Sequence, residues 1–166
     1  MWDRVLHDGS NKDATIVCED GAQKVQAHAD ILAASSPVLN AMLMGDFAEG
    51  SNKTIRVDGS LPNGTLDLFL ELVYCGCSQT ELTKRDVPTI LAVLDLSHRW
   101  QLFVACDICE RWLGGMIDVN NIANIAEVLF QFFDGRIHCN IFDHKNIFKL
   151  NHVSNFKVCM ISYRQS

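Results

Sequence analysis

The sequence lacks any apolar run approaching the roughly 18 residues that suggest a membrane span. Its start, "MWDRVLHDGSNKD", also lacks the basic-then-apolar order of a secretory signal. No Gly-rich phosphate loop of the P-loop or dinucleotide type occurs. These absences argue against a membrane partner and a phosphate-cradling nucleotide site, and they give an intracellular expectation, cytoplasmic or nuclear. Basic residues are scarce too: 14 Lys and Arg face 20 Asp and Glu, for a net charge of −6. Residues 134 to 166 carry five of those basic residues and two acidic ones, so they stand at +3 and the rest at −9. An acidic body does not bind a nucleic-acid backbone, which requires clustered Lys and Arg.

What is present is a globular composition, 48% hydrophobic and 20% charged over 166 residues, enough for one compact domain with a core. The seven cysteines are odd in number and irregular in spacing, and most fall in apolar helical patterns. They read as reduced core thiols and not as a disulfide framework. Asn63-Gly64-Thr65 fits a glycosylation acceptor, which carries no meaning without secretion.

Along the chain, "DATIVCEDG" alternates into a strand at Thr15 to Cys18, Asp20-Gly21 turns it, and "QKVQA" returns as a hairpin. Helical periodicity follows, with Ala29, Leu32 and Ala33 on one face. Ser35-Ser36-Pro37 interrupts the run, with Pro37 in the first turn of the next helix and Ser36 or Ser35 as its cap. That second helix, Val38 to Met44, leads into an acidic, Gly-bounded turn, "GDFAEG". "KTIRVDG" is a third strand. "LPNGTLDLFLELVYCG" places Leu66, Phe69, Leu70, Val73 and Tyr74 at i, i+3, i+4, i+7 and i+8, a helix that Gly76 stops. Two helices follow: Asp86 to about Arg99, apolar enough to be central, and Leu102 to about Leu113, ended by Gly114-Gly115. A further helix, Val119 to Phe133, shows one apolar side. After it the sequence contains no Ala, Glu, Pro or Thr, a shift in composition that suggests an alternative or read-through exon.

This order of elements resembles the BTB/POZ domain. The resemblance rests on "DATIVCEDGAQKVQAHADILAASSPVLNAML", with Asp13 before the first strand and His28, Leu32 and Ser36 at four-residue intervals. It continues through "FLELVYCG" and "LDLSHRWQLFVACDICERWL". "DVNNIANIAEVLFQFF" is similar to the first helix of the 3-box or BACK region that follows such domains in ubiquitin-ligase adaptors. The resemblance implies a mixed α/β (α+β) fold, a small sheet of about three strands flanked by five or six helices. It divides the chain into an N-terminal segment 1–12, the domain at 13–117, the BACK-like helix at 118–133 and a divergent tail at 134–166.

The resemblance also implies a partner. Many BTB adaptors place a hydrophobic residue, any residue, then Glu after the second helix, and the hydrophobic residue enters a pocket on cullin-3, a ubiquitin-ligase scaffold. Phe47-Ala48-Glu49 matches that triplet, with Met44 and Asp46 as neighbours. An aromatic anchor with acidic rim residues suits such a pocket. Relatives often carry Ser directly after the Glu. Here Gly50 precedes Ser51, which predicts a longer or looser loop. Homodimerisation, also implied, would use Val5 and Leu6 with Ile31 and Ala34. Related adaptors read an unidentified substrate protein through a MATH or Kelch-repeat domain. The flanks outside 13–133 are too short for either, so the reader is expected to be missing or supplied by a partner. The alternatives are a homo-oligomerisation module without cullin binding and an inhibitory fragment that occupies the cullin unproductively.

No enzyme, metal or cofactor is expected. Cys106 and Cys109 form a C-x-x-C and Cys75 and Cys77 a C-x-C, which with His98 or His138 could hold zinc. The first pair, however, lies on an apolar helical stripe with Leu102 and Leu113. His28 and Ser36 could be a base and nucleophile, but His28 stands at a strand-to-helix junction, where polar side chains tie down orphan backbone groups. Asp67 and Glu71 read as the solvated face of an amphipathic helix.

Overall fold

A computed structural model describes residues 2–45, 48–76 and 86–116, with the backbone alone at 48 and 49. The expected helix at 119–133 and the tail at 134–166 lie outside the described residues. The chain divides into two compact units, Met1–Ile108 and Cys109–Ser166. All the described elements belong to the first except the last helix, whose residues from Cys109 on belong to the second.

The hairpin forms as the alternation requires. Strand β1 (Ala14–Cys18) buries Ala14, Ile16 and Cys18 on one face and pairs antiparallel with β2 (Lys24–Ala27), Ile16 opposite Val25. Strand β3 (Thr54–Val57) joins the other edge of β1 in parallel, Ile16 opposite Ile55 and Cys18 opposite Val57, for the order β2-β1-β3. A parallel pair needs a crossover, and helices α2 (Ala29–Ser35), α3 (Pro37–Met44) and α4 (Ala48–Asn52) lie within it. Before the sheet comes α1 (Trp2–His7), and after it α5 (Thr65–Cys75), α6 (Val87–Arg99) and α7 (Phe103–Met116). The fold is mixed α/β, with a three-stranded sheet and seven helices among the described residues.

The two short helices, α1 and α4, have no counterpart in the sequence reading. Six and five residues do not complete enough of a 3.6-residue period to show one. Gly114-Gly115 also fails as a stop, since α7 continues to Met116. A glycine inside a helix costs about 1 kcal/mol against alanine, which the burial of Leu113 readily outweighs.

Helix α5 packs against α1, α2, β2 and α6. Of the predicted stripe, Leu66, Phe69, Leu70 and Tyr74 are buried and Val73 is half-buried, while Leu68 and Leu72 from its flanks are buried too. Gly76 ends the helix at φ 63°, a left-handed conformation that glycine adopts without steric cost, and its N–H bonds to the Leu72 carbonyl. Helix α6 buries Ile90, Leu91, Val93, Leu94 and Leu96, as its composition predicts. The cap of α3 is Ser36: its Oγ accepts from Leu39 N–H at 3.0 Å and donates to the carbonyl of Trp100. Trp100 sets its ring edge-on to Phe69, centroids 5.1 Å apart. One buried hydroxyl thus links the start of α3 to the end of α6, and through Trp100 to α5.

Candidate protein-docking surfaces

One surface begins where α3 ends. Leu43 is buried and anchors the last turn, whereas the next residue, Met44, is 49% exposed. Gly45 closes the helix with its N–H on the Ala41 carbonyl at 3.0 Å. Asp46 and Phe47 lie outside the described residues, and of Glu49 only the backbone is described, within α4. The predicted loose loop is instead partly helical, Ala48 to Asn52. Asn52 then accepts from Thr54 N–H through Oδ1 at 2.9 Å, and the Lys53 carbonyl accepts from Thr15 N–H at 2.8 Å, so the segment enters β3 in fixed register.

The residues that the resemblance assigned to self-association lie on α1 and α2. Ala34 is exposed, Ile31 and Val5 are half-buried, and Leu6 is buried within its own chain, where α1 packs on α5. Lys12 Nζ donates to the Leu6 carbonyl at 2.7 Å and fixes the end of α1. Trp2, on the same short helix, is exposed.

The orphan N–H of Ala29 is satisfied by Asp13 Oδ1 at 2.8 Å, and the other carboxylate oxygen accepts from Lys53 Nζ at 2.6 Å. The Ala29 bond and the Lys53 ammonium hold the Asp13 carboxyl below the usual range, and Asp13 in turn raises Lys53. His28 makes no side-chain cap bond to α2, but its ring holds backbone at the junction as expected, on the carbonyl of Ser10. Its N–H donates to the Tyr74 hydroxyl at 2.8 Å, and its Nδ1 lies 2.8 Å from that same hydroxyl. With a neutral imidazole, the Tyr74 proton serves Nδ1, and Nε2–H faces the Ser10 carbonyl at 3.2 Å. Burial pushes the Tyr74 phenol up, which keeps that proton in place.

These bonds occupy both members of the possible base–nucleophile pair. The His28 nitrogens serve Tyr74 and Ser10, and the Ser36 hydroxyl serves Leu39 and Trp100. Cys106 and Cys109 are buried on α7, while Cys77 and His138 lie outside the described residues. Among the described residues, no three His, Cys, Asp or Glu side chains gather as metal ligands would. Asp67 is exposed and Glu71 half-buried. Among the described residues, no helix is long and apolar enough to cross a membrane.

The fold, with a hairpin extended by a parallel third strand and a buried α5–α6 pair, agrees with a comparison to known families. The BTB/POZ domain model matches residues 3–114. The chain belongs to the BTB/POZ family. A BTB/POZ domain is a protein-interaction module, which fits surfaces that present apolar side chains. The chain is 28% identical over 129 residues to BTB/POZ and TAZ domain-containing protein 4 of Arabidopsis thaliana, covering 77% of this chain and 33% of that protein. To Kelch-like protein 23 of Homo sapiens it is 32% identical over 114 residues, 69% of this chain and 19% of that protein. To human Kelch-like protein 2 it is 32% identical over 98 residues, 59% of this chain and 15% of that protein. The chain therefore spans a third or less of the length of these relatives.

Two features of this BTB/POZ chain escaped the sequence reading. Asp13 caps a helix that begins 16 positions later, and a search for caps among immediate neighbours does not reach that far. Phe103 and Val104 stand 72% and 66% exposed at the start of α7. Their signal was available, since both lie off the stripe formed by Leu102, Cys106, Cys109 and Leu113.

Proposed function

We propose that this BTB/POZ chain is a non-catalytic adaptor that docks a cullin-3-type scaffold through the segment joining α3 to β3. Phe47 is the anchor, Met44 extends the apolar contact, and Asp46 and Glu49 orient the partner from the rim. The carrying observation is Met44, half exposed at the end of a helix whose preceding residue, Leu43, is locked in the core. Such a side chain offers apolar area to a partner from a rigid base. Membership in a family of interaction modules and likeness to Kelch-like proteins support the reading. In this proposal the BTB/POZ domain occupies 13–117, a BACK-like helix begins at 118, and the substrate protein is held outside the domain. Self-association uses Val5, Leu6, Ile31 and Ala34.

The test is a calorimetric titration of the chain with the N-terminal domain of cullin-3, run beside Phe47→Ala. Binding at micromolar or tighter Kd in the unsubstituted chain is expected, with a loss of at least about 2 kcal/mol in the variant. A folded chain that does not bind would refute the adaptor role. The second reading, a homo-oligomerisation module alone, is favoured by the exposure of Trp2 on α1 and Ala34 on α2. A dimer in sedimentation experiments without cullin affinity would establish it.

A further inference from the structure

Helices α3 and α4 meet backbone to backbone at Gly50. A Cβ at this position would lie 2.3 Å from the Gly45 carbonyl oxygen and 3.4 Å from that of Leu43. The obstructing atoms are main chain at the end of a helix, so they cannot swing aside as a flexible side chain would. Gly45 is fixed by its N–H bond to Ala41, and α4 is tied to β3 through the Asn52 side chain and the Lys53 carbonyl. By contrast, a Cβ at Gly9, Gly21, Gly59, Gly64 or Gly76 would meet nothing within 4 Å. Gly50 is therefore required by close approach.

We propose that Gly50 is a positioning residue for partner docking: having no side chain, it lets α4 close onto the last carbonyls of α3 and so sets where α4 stands relative to Met44. This rests on the docking reading above. Any L side chain must drive the two backbones about an ångström apart to reach ordinary contact at 3.4 Å or more. A docking surface tolerates only about 0.5 Å of such displacement before its geometry is lost. The partner would then meet a population in which only a fraction is competent, and the apparent Kd rises by the inverse of that fraction.

Gly50→Ala in the full chain tests this by two measurements. Amide hydrogen exchange over residues 48–52 is expected to accelerate, while α5 and α6 keep their protection and so report an intact fold. The association rate with the N-terminal domain of cullin-3 is expected to fall about tenfold with the dissociation rate little changed. A residue that merely touched the partner would instead raise the dissociation rate. Should Gly50→Ala not fold, Asn52→Ala releases the other tether of α4 without adding atoms, and the same slowing of association is expected. Unchanged association in a folded variant whose parent binds would overturn the role of Gly50 alone. Absence of binding by the parent chain would overturn the docking reading and this role with it.

Discussion

Among the described residues, Ser36 places two hydrogen bonds on one buried oxygen. Truncation to alanine deletes one oxygen that makes two bonds. As the N-cap of α3 it accepts from Leu39 N–H at 3.0 Å, and losing such a cap costs about 1 kcal/mol. As a donor it satisfies the Trp100 carbonyl, and a buried acceptor deprived of its donor costs about 1–3 kcal/mol. The two losses fall on different groups, so Ser36→Ala is expected to destabilise by about 2–4 kcal/mol. Urea unfolding followed by far-UV circular dichroism, at fixed protein concentration, reads this as a lower midpoint at unchanged slope. Two companions separate the parts. Ser36→Thr keeps both bonds and should lie near the parent, whereas Ser36→Gly spares most of the cap but not the donor. A loss under about 0.5 kcal/mol for Ser36→Ala would refute the link between α3 and α6. Equal losses for alanine and threonine would show that size, and not the hydroxyl, matters at this site.

Ser97, by contrast, is fully buried and its hydroxyl has no hydrogen-bond partner among the described residues, so Ser97→Ala should raise the melting temperature, by an amount reflecting about 1 kcal/mol or more. A clear fall would show that the hydroxyl does find a partner. Tyr74→Phe removes the acceptor of His28 N–H and the partner of its ring, and a urea midpoint lower by the equivalent of about 1–3 kcal/mol is expected. Asp13 is held below its unfolded pKa by the Ala29 N–H and Lys53. Its contribution is therefore fully present above the unfolded value of about 3.9 and is lost as pH falls through the lower folded value. Unfolding midpoints between pH 5 and 2 should fall less steeply in Asp13→Asn than in the parent, and parallel curves would contradict this.

Where local chemistry decides local structure, the sequence was a sufficient guide. Ile55 and Val57 alternate with polar neighbours because β3 has one buried face. Ser36-Pro37 announces the start of α3 because a cap acceptor and a fixed φ are both needed there. The stripe on α5 was legible for the same reason, although Leu68 and Leu72 are buried too because α5 is packed on several sides. What remained hidden depends on distant partners. Asp13 serves a helix start beyond the hairpin, leaving His28 free to bond Tyr74, 46 residues away. The proposed docking segment shows the same division: the Phe47-Ala48-Glu49 triplet can be read in one dimension, whereas the close approach at Gly50 arises only when two backbones are brought together.

The parallel pairing of β1 with β3 has a consequence for how the chain is made. The β1–β2 hairpin can close once its own residues have left the ribosome, but β3 takes its place only after α2, α3 and α4 have been synthesised between them. Closing so long a loop costs entropy before the new ladder returns any energy. The far end of the segment that joins α3 to β3 is thus fixed late in translation, by the sheet rather than by the segment itself. Partner docking through that segment would accordingly report on the completed sheet, so that an unfinished or misregistered chain is passed over by the partner it was made to meet.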